Sequence, residues 1–187
     1  MQVETLDRRR LSQDDARAIA QLIVSIWPKP GRTVDTMAAE MLSRWQDYSG
    51  PEHQHPRSFV VREGGRVIAH ASFDPRTIGT RQGDLTVLAL ARVCTDPAAR
   101  GRKLGQAVVR RTFDLVDDGS FPFSLFQTTD DVQSFYDNLG AVRIHNRFVN
   151  SLADDPIANP WWSPVIMRYP RGPGWPEGEI DLRGPGY

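Results

Sequence analysis

The chain has 187 residues, its 23 lysines plus arginines are matched by 23 aspartates plus glutamates for a formal charge of zero, and it has one cysteine. That length builds one well-formed core without calling for a second large domain, and the charge balance excludes a whole-protein field that would draw the chain to nucleic acid or an acidic membrane. A lone cysteine, Cys94, excludes an intramolecular disulfide framework and fits a reducing compartment.

The opening residues, MQVETLDRRR, lack the apolar centre of a signal peptide, and no segment approaches the roughly 20 apolar residues of a membrane span. The expectation is a cytoplasmic protein. DDARAIAQLIVSIW then places Ala16, Ile19, Ala20, Ile23 and Trp27 at helical spacing behind Ser12, an N-cap residue type, and IWPKPGR ends that helix. A second helix reads from TVDTMAAEMLSRWQDY, with Met37, Met41, Leu42 and Trp45 three and four residues apart, until SGPEHQHP breaks it.

Strands follow. SFVVREGGRVIAHASF is two apolar runs joined by Gly64-Gly65, a pair suited to a tight hairpin. From Leu85 to Val93 only Thr86 and Arg92 interrupt the apolar character, which predicts a central strand covered on both faces. Leu104 to Val116 fills a broad apolar arc with Leu104, Val108, Val109, Phe113, Leu115 and Val116, a helix packed on a sheet.

FPFSLFQTT reads as a short strand. Asp130 with Gln133 three residues on predicts a capped helix over DVQSFYDNL, ended by Gly140. AVRIHNRFV and SPVIMRYP are expected to form a closing pair of strands around NSLADDPIANPWW. The last segment, RGPGWPEGEIDLRGPGY, has too many glycines and prolines for a regular element and reads as an ordered wrap anchored by Trp175 or a loose end. The element order predicts an α/β fold of the α+β type, a mixed and largely antiparallel twisted sheet flanked by helices, in a single domain over residues 1–170 with a tail over 171–187.

One stretch stands out chemically. DPAARGRKLGQAVVRR, residues 96–111, places Arg100, Arg102, Lys103, Arg110 and Arg111 around Gly101 and Gly105, between the central strand and the next helix. A helix start there turns unpaired backbone N–H groups and the positive end of the helix dipole outward, which is what a phosphate requires. On spacing alone the stretch is either that or a solvated basic turn. It lacks the Gly-Lys-Ser/Thr ending of a Walker loop, and two glycines without a parallel βαβ unit do not make a dinucleotide fingerprint.

VCTDPAARGRKLGQAVV resembles the acyl-coenzyme A binding motif of the GNAT superfamily of N-acetyltransferases, Arg/Gln-x-x-Gly-x-Gly/Ala after a strand. Arg100 takes its first place and Gly105 its last, while Lys103 occupies the place usually held by glycine and is expected to be helical there. SFYDNLGAV resembles the family's later Phe-Tyr-x-x-x-Gly-Phe motif, with Phe135, Tyr136 and Gly140 in place, Ala141 where an aromatic is common, and Thr129 where an asparagine often stands.

The resemblance implies the GNAT acyltransferase fold and transfer of an acetyl group from acetyl-CoA to a primary amine of a small molecule or peptide by direct attack. It implies that Val93 and Thr95, flanking Cys94, pair their backbone with the pantetheine arm and that the amides from Arg102 through Lys103, Leu104 and Gly105 to Gln106 hold the diphosphate. Cys94, Arg100, Gly101 and Phe135 complete the coenzyme set. Tyr136 resembles the general acid, since a phenol titrating near 10 suits a thiolate leaving group; read without the resemblance it is a core tyrosine packed with Phe135 and Leu139. Some members carry a glutamate in the central strand, and here that stretch has no acid. Asp84 or His70, acting through a water, are the base candidates, and an amine arriving neutral is the alternative.

His53 and His55 beside Glu52 lack a third ligand, so no metal is expected. Cys94 reads as a small core residue, without an adjacent histidine to activate it. Trp161, Trp162 and Trp175 read as packing anchors or as lining for an acceptor pocket flanked by WPKPGRTVDTM and the NSLADDPIANPWW loop, where Asp154 and Asp155 are either solvated or attract a cationic amine. The expected partners are acetyl-CoA and an amine, with no nucleic acid and no membrane, and homodimerisation is left open. A catalytically inactive acyl-CoA sensor of the same fold is the rival reading.

Overall fold

The computed structural model describes residues 2–187. Among the described residues the fold is α+β, a mixed and largely antiparallel sheet with four α-helices, as the element order predicts. The chain divides into two compact units, one running to Asp74 and resuming over Ala91–Asp114, the other comprising Pro75–Leu90 and Leu115–Tyr187.

The first unit carries β1 (Glu4–Asp7), α1 (Gln13–Ile26), α2 (Val34–Ser43), β2 (Arg57–Glu63), the first half of β3 (Arg66–Thr80), the second half of β4 (Gly83–Thr95) and most of α3 (Leu104–Asp117). Its strands are ordered β1-β2-β3-β4. Ser12 caps α1 by accepting the Asp15 amide at 3.1 Å, and Thr33 with Thr36 forms a reciprocal capping box on α2. The two helices bury Ala16, Ile19, Ile23, Met37 and Met41 against Val60, Val67 and Cys94. Gly64 and Gly65 both take positive φ, 55° and 80°, in the two-residue turn that pairs Glu63 with Arg66.

β1 is not among the elements that the sequence pattern predicts. Its four residues ETLD are too few and too polar to show a strand period, yet they pair antiparallel with β2, Glu4 opposite Val60. Immediately after it, Arg8 is fully buried, donating to the Phe73 carbonyl at 3.0 Å and pairing with Asp74, which also accepts from Arg44 at 2.8 Å. Burial pushes the Arg8 pKa down and the Asp74 carboxylate opposes that.

The second unit orders its strands β3-β4-β5-β8-β6, using β5 (Ser124–Thr128), β6 (Val142–Arg143) and β8 (Val165–Tyr169). β4 and β5 run parallel with α3 between them in the chain, Leu88 opposite Ser124, so a parallel βαβ connection is present where the sequence reading has none; Val87 to Leu90 are buried, as the unbroken apolar run requires. Three further expectations fail in this unit. AVRIHNRFV is not one strand: Val142–Arg143 pairs with β8, whereas Phe148–Val149, β7, pairs parallel with β9 (Ile180–Asp181).

The tail does contain a regular element. β9 also meets the far end of β3, Gly79 opposite Asp181, and Ile180 and Leu182 are fully buried with Ile78, Phe148 and Ile166. Trp175 donates to Asn146 at 2.8 Å and sets its ring edge-on to Phe123. Lastly, α4 (Asp130–Asp137) starts behind Thr129 without a side-chain cap, and Gln133 donates to Asp137 instead of reaching back to Asp130. Gly140 ends the segment at φ 90° as expected.

One side chain of β5 binds three backbone sites. The Gln127 oxygen accepts the amides of Trp162 (3.1 Å) and Ser163 (2.8 Å), and its nitrogen donates to the Tyr187 carbonyl at 2.9 Å.

Candidate active site

The basic loop is built from the end of β4. Asp96 anchors it: its amide donates to the Ile68 carbonyl at 2.8 Å and its carboxylate accepts the Ala98 amide at 2.9 Å, shaping the single helical turn Pro97–Ala99. Gly101 then takes φ 78° and Lys103 φ 59°, with Arg102 between them at negative φ. Such alternation aims successive N–H groups to one side, as an anion nest does. The Lys103 carbonyl accepts the Ala107 amide at 3.0 Å, so the helical ladder of α3 begins on it and the amides from Lys103 to Gln106 have no intrahelical acceptor.

Lys103 is therefore left-handed, not helical as expected. The position usually glycine in the motif keeps a glycine's backbone although its residue is lysine. Left-handed backbone brings Cβ close to the following carbonyl, which helical backbone avoids. Arg100, Gly101, Arg102, Lys103 and Gln106 are exposed, Gly105 is half-buried, and Leu104 is buried in the core. Arg102 pairs with Glu63 at 2.8 Å across the surface, and that hydrogen bond holds the Glu63 carboxyl below its usual range.

Val93 and Thr95 are half-buried at the end of β4, with Cys94 between them turned into the helix-packed core. Burial pushes the Cys94 thiol up to about 12, which removes the thiolate a nucleophile needs. Directly before Val93, Arg92 takes φ 55°, a left-handed break in an otherwise extended strand. Its carbonyl accepts from His70 Nδ1 at 2.8 Å, while His70 Nε2 meets Ser58 Oγ at 3.1 Å. His70 is fully buried, and desolvation drives its pKa down to about 3, so it is a neutral ring with both nitrogens occupied.

In the second unit Tyr136 is buried on α4, its ring 4.6 Å from Phe126 and 4.9 Å from Phe135. Phe126 is thus an aromatic neighbour in addition to Phe135. Asp84 lies at the exposed start of β4, gripped by Arg183 at 2.8 Å, which lowers its pKa. The structure thus gathers Val93 to Gln106 with His70 in one unit and holds Tyr136 and Asp84 in the other. Trp161 packs edge-on against Phe148 and Tyr187, whereas Trp162 is exposed. His55 is engaged by the Glu52 carbonyl and Arg57.

One feature is invisible to motif and spacing, an ion pair at the border of a cleft that is lined largely from the WPKPGRTVDTM segment. Glu40 of α2 accepts from Arg92 at 2.9 Å and faces Arg44 at 3.7 Å. The signal in the sequence is Arg92 itself, a charge interrupting an apolar run. Glu40 borders a cleft of about 280 Å³ that Lys29, Arg32, Thr36 and Met37 also line.

No curated protein matches the chain. Solved structures do, at identities that speak to fold. A GNAT family acetyltransferase from Brucella melitensis, determined in complex with acetyl-CoA, aligns with TM-score 0.59 and 16% identity over 96% of this chain and 95% of that one. Escherichia coli ElaA aligns with TM-score 0.57 and 16% identity over 89% and 97%. A GCN5-related N-acetyltransferase from Kribbella flavida aligns with TM-score 0.58 and 16% identity over 76% of this chain, which spans only 34% of that longer protein. The profile of the acetyltransferase (GNAT) family matches residues 17–145, more than half of the sequence and all of the loop just described. The chain belongs to the GNAT acetyltransferase family.

Proposed function

We propose that the chain transfers an acetyl group from acetyl-CoA to a primary amine of a small molecule or a peptide. The family's use of acetyl-CoA supports this, and so does the likeness to the Brucella melitensis structure. The observation that carries it is the left-handed Lys103: a lysine held in a glycine's conformation keeps the amide nest open at the start of α3, where a diphosphate fits. Val93 and Thr95 offer the backbone edge for the pantetheine arm, and the amides from Arg102 to Gln106 take the diphosphate.

In this reaction the amine nitrogen attacks the thioester carbonyl, a C–N bond forms and the C–S bond breaks. The departing thiolate takes a proton, a role we give to Tyr136 from its place in the Phe-Tyr-x-x-x-Gly motif. The amine's proton goes to water. With His70 sealed in the sheet and Asp84 held by Arg183, the amine that arrives already neutral is the simplest source of the nucleophile.

Thiol release from acetyl-CoA over a panel of amines tests the reading. Tyr136→Phe is expected to lower kcat by roughly 100- to 10,000-fold, the size of a general-acid contribution, with coenzyme affinity nearly unchanged. Gly105→Glu sets bulk and negative charge against the diphosphate and is expected to abolish coenzyme binding. Undiminished turnover in the first variant removes Tyr136 from the acid role; undiminished affinity in the second removes the loop from the coenzyme.

The occupied His70 and Asp84 also favour a second reading, an acyl-CoA sensor without turnover. A sensor shows a thermal shift with acetyl-CoA and no thiol release with any amine.

A further inference from the structure

If the chain is an acyltransferase, the cleft beside the turn between α1 and α2 bears on the identity of its acceptor. At about 280 Å³ the cleft is at the small end of ligand pockets. Lys29 and Arg32 stand on its outer turn, which the Arg32 amide closes onto the Lys29 carbonyl at 3.0 Å. Gly31, at φ 76°, leaves that side open, since a Cβ built there meets no atom within 4 Å. Thr36, Met37 and Glu40 come from one face of α2, and the buried Met37 supplies the apolar floor.

The charges are sorted along the cleft. Among the described residues neither the Lys29 ammonium nor the Arg32 guanidinium has an acidic partner, although most arginines of this unit do. Glu40 lies a helical turn along α2 from Thr36. Its carboxylate is steadied by Arg92, which directly precedes Val93 on the strand assigned to the pantetheine arm. The acidic end of the cleft is therefore tied to the strand that carries the acyl donor, and the unpaired cations lie at the other end.

We infer, resting on the acyltransferase reading, that the acceptor is a primary amine that also bears an anionic group, a carboxylate or a phosphate. The anion sits on Lys29 and Arg32, and the amine points along α2 toward Glu40 and the end of β4. A purely cationic polyamine meets Lys29 and Arg32, with Glu40 as the only carboxylate lining the cleft among the described residues, and is rejected.

Calorimetry on the full chain, with and without saturating coenzyme A, tests this directly. The ligands are amino acids and aminoalkyl phosphates, each paired with the amide or alcohol that keeps the amine and lacks the anionic charge. The charged member of a pair is expected to bind at least about tenfold more tightly, and Lys29→Glu with Arg32→Glu to erase that preference while acetyl-CoA affinity stays as in the parent. The carboxylate and phosphate arms identify which anion is preferred. Equal binding of both members, or a preference that survives the double reversal, overturns the inference. Binding of charged amines without thiol release leaves the anion site standing and overturns turnover, so the two failures are told apart.

Discussion

At the residue scale, two left-handed non-glycine positions stand out among the described residues of the first unit: Arg92 directly precedes the proposed coenzyme strand and Lys103 lies within the proposed diphosphate loop. Holding an L-residue there costs roughly 1–2 kcal/mol, and glycine escapes most of it. Lys103→Gly is therefore expected to be more stable to urea than Lys103→Ala by about 1 kcal/mol, both lacking the same side chain. Equal midpoints would mean that Lys103 is not held left-handed. His70 gives a pH prediction whose sign follows from its burial. Its folded pKa of about 3 lies below the ordinary 6.5, so between those values the unfolded chain binds a proton that the native chain refuses. Its contribution to stability is complete above pH 6.5 and is lost as the pH falls toward 3, by about 1.4 kcal/mol per pH unit for one proton. His70→Gln retains a donor for the Arg92 carbonyl and an acceptor for Ser58, and its unfolding free energy is expected to fall less steeply than the parent's between about pH 4 and 6.

At the element scale, what is legible in the sequence is what local chemistry dictates. Ser12 and the 3.6-residue apolar period place α1, the glycine pair places the hairpin, and the apolar run places β4. β1, β7 and β9 are not legible because strands of two to four residues show no period; each exists through a partner far along the chain. Asp130 and Gln133 have the right types for a cap, but the helix starts on Asp130 itself, leaving Thr129 as the boundary. The importance of β9 is measurable. Ile180 is fully buried among Ile78, Phe148 and Ile166, and Ile180→Ala is expected to cost about 2–5 kcal/mol in urea unfolding, as cavity formation in a packed core does. A loss below about 1 kcal/mol would mark the tail as loosely attached.

At the scale of the whole molecule, a formal charge of zero means that the proposed selectivity for anions rests on placement rather than on excess. The glycines and cations of residues 100–106 are legible because residue type announces anion binding; the left-handed lysine is not, because left-handed backbone is ordinarily the mark of glycine. Nor is the Glu40–Arg92 pair, whose members are separated by 52 positions and meet only once α2 packs. Gln127 shows how finely such placement discriminates. Its amide is used in both senses, oxygen toward two N–H groups and nitrogen toward a carbonyl. A glutamate of identical shape would satisfy the first two and oppose the third, setting oxygen against oxygen. Hydrolysis of this one amide would thus turn an attraction for the Tyr187 carbonyl into a repulsion, while the strand that bears it stays paired.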